Sequence, residues 1–164
     1  MKYLLLVRHA KSSWEAADIS DFDRTLNERG KRDAPEMARR LVSRAITINA
    51  FVSSPAKRAK KTAELFAEEM GAHKKDIMFV DALYHPAPSA FFAAIAGMDD
   101  VLQCVAVFSH NPGITDFVNM LSTVRTDNMP TSGVYAVKVD IPSWKDFEKA
   151  KKEFWFYDYP KAGD

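Results

Sequence analysis

With 164 residues and 47% apolar side chains, the chain can bury roughly 70% of the surface its unfolded form exposes, and a second full domain is not expected. Its 23 Lys and Arg almost cancel its 22 Asp and Glu, leaving +1. That excludes the global field that draws a protein onto nucleic acid or an anionic membrane, so any anion site must be local.

Cys104 stands alone and excludes an internal disulfide; inside the apolar run 101–108 it reads as a buried thiol rather than a nucleophile. The apolar start at Met1 stops at Arg8, short of the ~7 to 15 residues of a signal-peptide core, and nothing else approaches transmembrane length. A single cytoplasmic domain over residues 1–164 is expected.

Short branched and aromatic runs alternate with stretches of helical period, the pattern of an α/β fold with a mostly parallel sheet between helices. Tyr3 to Val7 is predicted as a buried strand, and Asp18, Ser20, Asp21 and Asp23 keep Ala10 to Leu26 a polar loop. Asn27 should cap a helix running to about Ala45, with Met37, Leu41 and Val42 as its buried stripe. Pro35 predicts a kink, or a helix that properly begins near it. Ala50 to Ser53 is a second strand, turned by Ser54-Pro55 into a helix over 56–70 that Gly71 closes. An edge strand over 77–80, a short helix over 89–96 and a central strand over 103–109 follow. A helix over 114–122, a strand over 133–139, a short helix over 144–150 and a last strand over 153–157 complete the reading.

Three predicted strands end in reactive groups: Arg8-His9, Ser53-Ser54-Pro55 leading to Arg58, and Ser109-His110-Asn111. Ligands bind outside the carboxyl ends of strands in open α/β sheets. If these three strands are parallel neighbours, two histidines and two arginines meet there as a clamp for a tetrahedral dianion. Arg8 and Arg58 can each fork onto phosphate oxygens, and the start of the helix near Ala56 adds N–H donors. His9 fits a nucleophile, because imidazole can accept a phosphoryl group and release it to water. One ring nitrogen must keep its lone pair while the other gives its hydrogen to a partner, commonly a backbone carbonyl. His110 fits the second imidazole, donating to oxygens that gain charge. Each residue alone has a plainer reading, a structural histidine or, for Arg58 among Lys57, Lys60 and Lys61, a solvated face. Their conjunction is what carries the chemistry.

Four ordered segments resemble the histidine phosphatase (phosphoglycerate mutase-like) superfamily: Leu6-Val7-Arg8-His9-Ala10, the stretch from Arg24-Thr25-Leu26 to Gly30, the stretch from Ser54 to Ala63 around Arg58-Ala59, and Ser109-His110-Asn111-Pro112-Gly113. Thr25 departs from the family's Arg-Pro-Leu, and Ala10 from its common Gly. Within the superfamily, Arg-His-Ala-Lys, His-Asn-Pro-Gly and Met129-Pro130-Thr131 are most similar to the small SixA-like branch of phosphohistidine phosphatases. The resemblance implies that His9 is the nucleophile and that Arg8, Arg58 and His110 form its phosphate pocket.

Ser12 and Asn111 are candidates for substrate contact, and Lys11 either guides an anionic substrate or is a solvated loop residue. For the general acid, Asp81 is nearest in order, although it also reads as a turn residue; Asp21 and Asp23 are rivals, and Glu15 a further one. His85 could reach the pocket rim but reads first as structural or exposed, and Trp14 as packing rather than a cover. The absence of an obvious acid favours a good leaving group such as the imidazole of phosphohistidine, since proton donation contributes typically 10² to 10⁴-fold.

The expected function is therefore a cofactor-independent phosphohydrolase acting on phosphohistidine in a protein, with phosphate as product and neither nucleic acid nor membrane as partner. The alternatives are a phosphatase or mutase of small phosphometabolites, a phosphate-binding module without turnover, and a metallophosphatase. For the last, the sequence has no closely spaced ligand motif, and two arginines would repel a dication.

Overall fold

Leu4, Leu5, Leu6 and Val7 are all completely buried, and their alternation divides them between the two faces of one sheet. Leu5 and Val7 pack with Met37 and Leu41 on one side and Phe66 beside them. Leu4 and Leu6 pack with Phe91, Ile95 and Phe117 on the other. Such two-sided burial requires cover on both faces, which gives three layers. The computed structural model describes residues 1–14 and 18–161; Glu15 lies outside the described residues.

Six strands form the sheet: β1 (Lys2–Arg8), β2 (Ala50–Ser53), β3 (Met78–Phe79), β4 (Cys104–Ser109), β5 (Val134–Val139) and β6 (Lys152–Asp158). They lie in the order β3-β2-β4-β1-β5-β6. The pairings β1 with β4, β2 with β4 and β2 with β3 are parallel, while β5 runs antiparallel to β1 and β6 to β5. This is the expected mostly parallel α/β sheet. Helices α1 (Glu28–Ser43) and α2 (Lys57–Glu69) cover one face, and α3 (Pro88–Ala96) and α4 (Gly113–Val118) the other. Phe91 and Phe117 stack at 4.5 Å between α3 and α4, each contributing about 1.5–3 kcal/mol through burial.

Asn27 caps α1 as expected, its side chain accepting from the Gly30 N–H at 2.9 Å. Pro35 does not set the start of that helix, which runs from Glu28 straight past it. The buried stripe Ala34, Met37, Ala38 and Leu41 offsets the one backbone hydrogen bond that Pro removes. Val42 is outside this stripe and half exposed, because one helical step turns it about 100° away from Leu41.

Two other expectations need correction. The helix predicted over 114–122 ends at Val118, where Asn119 turns its amide onto the backbone of Thr126 at 2.8 and 2.9 Å. The helix predicted over 144–150 is only a 3₁₀ turn, Trp144–Asp146. There the indole N–H bonds the Leu102 carbonyl at 2.8 Å and Ser143 caps the turn, so side-chain anchors replace a helical ladder.

Register brings three strand ends level: Arg8 lies beside Ser109, and Ser53 beside Phe108. Past these ends the His9 N–H reaches the Ser109 carbonyl at 3.1 Å, and the Ser54 N–H the Phe108 carbonyl at 3.0 Å. Two adjacent crossovers thus deliver His9, Ser54 and His110 to the carboxyl edge of the sheet.

Candidate active site

A cleft of about 380 Å³ opens at this edge, and among its lining residues are Arg8, His9, Lys11, Arg24, Arg58 and His110. The His9 and His110 rings are 5.1 Å apart. Both imidazoles are nearly inaccessible, and so is Arg58, the second residue of α2. The chain therefore places two neutral-capable rings and three guanidinium groups around one small space.

The tautomer of His9 follows from its neighbours. Nδ1 lies 2.7 Å from the carbonyl of Ala10, which can only accept. Arg58 Nε, which can only donate, lies 3.4 Å from His9 Nε2. Nδ1 therefore carries the hydrogen and Nε2 the lone pair. Ala10 is itself held, its N–H donating to Thr62 Oγ1 at 2.9 Å, while Thr62 donates to the Arg58 carbonyl at 2.7 Å. Burial, joined by the charges of Arg58 and Arg8, lowers the His9 pKa to about 3 despite the Ala10 bond that raises it. The lone pair is thus present at neutral pH.

His110 Nε2 lies 2.7 Å from Ser54 Oγ. That hydroxyl already accepts from the Ala56 N–H at 3.2 Å and keeps one hydrogen and one lone pair, so it can serve His110 Nε2 as donor or as acceptor. Burial lowers the His110 pKa to about 2, helped by His9 and Arg58. Nδ1 of His110 and Nε of Arg8 are both buried without a partner, although Arg8 Nη1 donates to the Met129 carbonyl at 2.8 Å. Buried polar groups left unpaired cost roughly 1–3 kcal/mol each, and these two lie on residues that line the cleft.

The expected acids separate clearly. Asp21 is the one carboxylate among the described lining residues. Its Oδ2 accepts from Tyr84 Oη at 2.6 Å and from Arg58 Nη2 at 3.0 Å, and its Oδ1 from Arg24 Nε at 3.1 Å. Burial raises its pKa, but the Tyr84 and Arg58 hydrogen bonds and the Arg58 and Arg24 charges outweigh that and lower it to about 2. Asp23 is exposed, bonded to Ser20 at 2.8 Å and paired with Lys57 at 3.8 Å. Asp81 opens the 3₁₀ turn Asp81–Leu83 after β3 and is exposed. Neither lines the cleft.

Among the other expected residues, Ser12, Lys11, Trp14, His85 and Asn111 all line it. Ser12 accepts from Arg24 Nη1 at 2.8 Å. Asn111 gives its amide hydrogens to Asn128 and the Met129 carbonyl at 2.7 and 3.1 Å. Trp14 is 72% exposed, with the Arg24 guanidinium 3.4 Å from its ring centre, so it forms the rim instead of packing inside. Exposed His85 stacks on Tyr84 at 4.0 Å. Sequence reasoning missed Arg24 as a lining cation, although it had quoted that residue in a motif. Ser54 and Thr62 likewise stand in the motif around Arg58 without these roles being legible there, and Tyr84 has no sequence signal, since its role depends on contacts across the fold. Among the described residues no group of three or more His, Cys, Asp or Glu is arranged to hold a metal ion, and no helix is long and apolar enough to cross a membrane.

The fold is α/β of the phosphoglycerate mutase-like type, with a cleft lined by two adjacent histidines and three arginines at the carboxyl edge of its sheet. Residues 4–83 match the family described as the histidine phosphatase superfamily (branch 1). An uncharacterised chloroplastic protein of Arabidopsis thaliana is 29% identical over 73% of the chain, which spans 58% of that relative's length. An uncharacterised protein of Mycobacterium leprae is 26% identical over 94% of the chain and all of its own length. Among solved structures, SixA of Agrobacterium tumefaciens superposes with a TM-score of 0.81 at 24% identity, covering 97% of this chain and 98% of that one. The protein histidine phosphatase SixA complexed with tungstate gives 0.81 at 22%, covering 96% and 97%. A mycobacterial glucosyl-3-phosphoglycerate phosphatase complexed with VO3 gives 0.69 at 15%, covering 97% and 100%. At these identities the structural likenesses establish the fold. The match of residues 4–83 to the histidine phosphatase superfamily supports phosphatase activity.

Proposed function

We propose that the protein is a phosphohydrolase that removes the phosphoryl group from phosphohistidine in a protein, through a covalent phosphohistidine on His9. The observation that carries this reading is the His9 ring, with Nδ1 held by the Ala10 carbonyl and an unprotonated Nε2 beside Arg58. Arg8, Arg58 and, in the tautomer with the hydrogen on Nδ1, His110 supply donors for the equatorial oxygens. Lys11 and Ser12 stand at the rim for further substrate contact, and Asn111, with its amide already engaged, chiefly shapes it.

In the first step the Nε2 lone pair attacks phosphorus, and the N–P bond of the substrate breaks with its electrons passing to the leaving imidazole. In the second, water attacks the phosphoryl group on His9, phosphate departs with the oxygen of that water, one proton goes to solvent, and Nε2 regains its lone pair. The fate of the leaving group selects the substrate class. Asp21, lowered to about 2 by Tyr84 and the arginines, is ionised at neutral pH and has no proton to give. A phosphohistidine ring needs none from the enzyme, because its distal nitrogen takes one from water, imidazole titrating near 6.5. An alkyl phosphate would have to leave as a far more basic alkoxide.

The test is turnover of a phosphohistidine-bearing protein against a panel of sugar and glycerate phosphates, with acid-labile ³²P labelling of wild type and His9→Ala. The protein substrate should be preferred and the label should vanish in His9→Ala. Turnover of the small esters alone would transfer the assignment to phosphometabolites, and an undiminished label in the variant would remove His9 from its role.

A further inference from the structure

Next to the cleft, between the first turns of α1 and α2, lies a second depression of about 420 Å³, lined by Lys31, Lys57, Lys60 and Lys61 together with Leu26 and Glu64. In a chain whose net charge is only +1, four ammonium groups against one carboxylate are a local concentration of positive charge. The α2 lysines are exposed and, at spacings of three and four, share one helix face. Lys57 pairs loosely with Asp23 at 3.8 Å and Lys31 with Glu28 at 3.6 Å. Among the described residues Lys60 and Lys61 make no ion pair; Lys60 Nζ lies 5.6 Å from the Phe79 ring centre.

The groove and the cleft share a wall. Arg24 lines the cleft and Thr25 and Leu26 the groove; Arg58 lines the cleft and Lys57 the groove. Ser12, at the cleft, forms a bridge with Leu26. A chain whose phosphorylated side chain enters the cleft would therefore have its neighbouring residues over these lysines.

We propose that this groove docks an acidic, extended segment of the phosphoprotein substrate beside its phosphohistidine; the inference rests on the protein-phosphohistidine reading given above. Lys57 and Lys61 are separated by about 6 Å along α2. Same-side carboxylates on an extended chain recur every ~6.5–7 Å, so alternate acidic residues keep step with the lysines. The lysine stems and Leu26 provide apolar contact for the segment's backbone. Nucleic acid fits less well, because among the described residues no aromatic ring lines the groove to stack a base. A lone phosphate fits less well too, because exposed ammonium groups lack the bidentate fork that holds one.

The experiment compares three phosphohistidine peptides carrying a run of Glu, Gln or Lys on one side of the histidine, with phosphoramidate as a small control substrate, for wild type and K60E/K61E. Wild type should favour the Glu peptide over the Gln peptide by about tenfold in kcat/KM, through KM, with the margin shrinking as salt is added. K60E/K61E should lose that preference and gain one for the Lys peptide, while phosphoramidate turnover stays unchanged. Equal rates for the Glu and Gln peptides in wild type, or an undiminished preference in the variant, would overturn the docking inference. So would equimolar mixed-sequence RNA that blocks wild type but not K60E/K61E, since the groove would then be a nucleic-acid site. Failure to cleave any of the peptides while phosphoramidate is hydrolysed would instead sink the protein-phosphohistidine reading itself.

Discussion

Acid should destabilise the ligand-free protein through His9 and His110, and replacing His110 by Gln should abolish about half of that effect. The two rings are 6% and 4% exposed, and their pKa values are lowered to about 3 and about 2 by burial and by neighbouring positive groups. The unfolded value is near 6.5. For a base lowered in this way, the unfolded chain binds a proton below pH 6.5 and the folded chain does not until pH approaches the folded value. Stability is therefore complete above about pH 7.5 and falls as pH drops through 6.5.

At pH 5 each unfolded imidazole lies ~1.5 units below its midpoint, which at 1.36 kcal/mol per unit is about 2 kcal/mol, or about 4 kcal/mol for the pair. Any folded value below about 4 leaves that figure unchanged. Asp21, lowered to about 2, is ionised in the folded state throughout this range and adds little to the change. Urea unfolding at pH 8 and pH 5 reads the difference directly. His110→Gln should lose about 2 kcal/mol less than wild type between the two pH values, whatever its absolute stability. Inorganic phosphate should narrow the wild-type loss, because a bound dianion favours imidazolium. Equal losses in wild type and variant would refute the claim that His110 is buried neutral.

Gly30→Ala should cost about 1–3 kcal/mol and reduce activity, because a Cβ there collides with the Lys11 carbonyl in the segment leading from His9; urea unfolding and kcat/KM together check it. Arg58→Lys removes the fork that meets Asp21 and the contact to His9, and kcat/KM should fall about a hundredfold with the fold retained by circular dichroism. Cys104 is buried and its thiol is pushed up to about 12 by burial, so iodoacetamide at pH 8 should label it only after denaturation, as mass spectrometry of the alkylated protein would report.

The strands that carry the site were legible because burial on both faces writes itself as an unbroken apolar run, as in Leu4 to Val7 and Val105 to Phe108, and a histidine stands two residues after each run. Asn27 was legible because an N-cap is local chemistry. The segment from Trp144 to Ala150 misled because aromatic spacing there serves packing into the core: Trp144 and Phe147 are buried, joined by one 3₁₀ hydrogen bond at 3.1 Å in a turn that ends at Asp146. Val42 misled for the related reason that an apolar residue next to a stripe need not belong to it. Nothing local predicts that Asn119 will spend its amide on Thr126 and end α4.

Within the cleft, what sequence order could not supply was which polar groups lie against one another. Asp21, Asp23 and Asp81 looked equivalent along the chain, yet the fold sets Asp21 between Tyr84 and Arg58 and leaves the other two outside the cleft. That placement changes the chemical argument. A carboxylate gripped by a phenol and two guanidinium groups is a poor proton donor, and it also partly neutralises the Arg58 edge that would otherwise face the anion. A substrate able to shed its phosphoryl group without an enzyme acid suits such a site, and a phosphorylated imidazole has that property through its own second nitrogen. Among the described residues, the lack of a protonated carboxyl in the cleft is thus a consequence of how Arg58 is held: its contact with Asp21 fixes the guanidinium beside His9 Nε2 and helps to lower the Asp21 pKa.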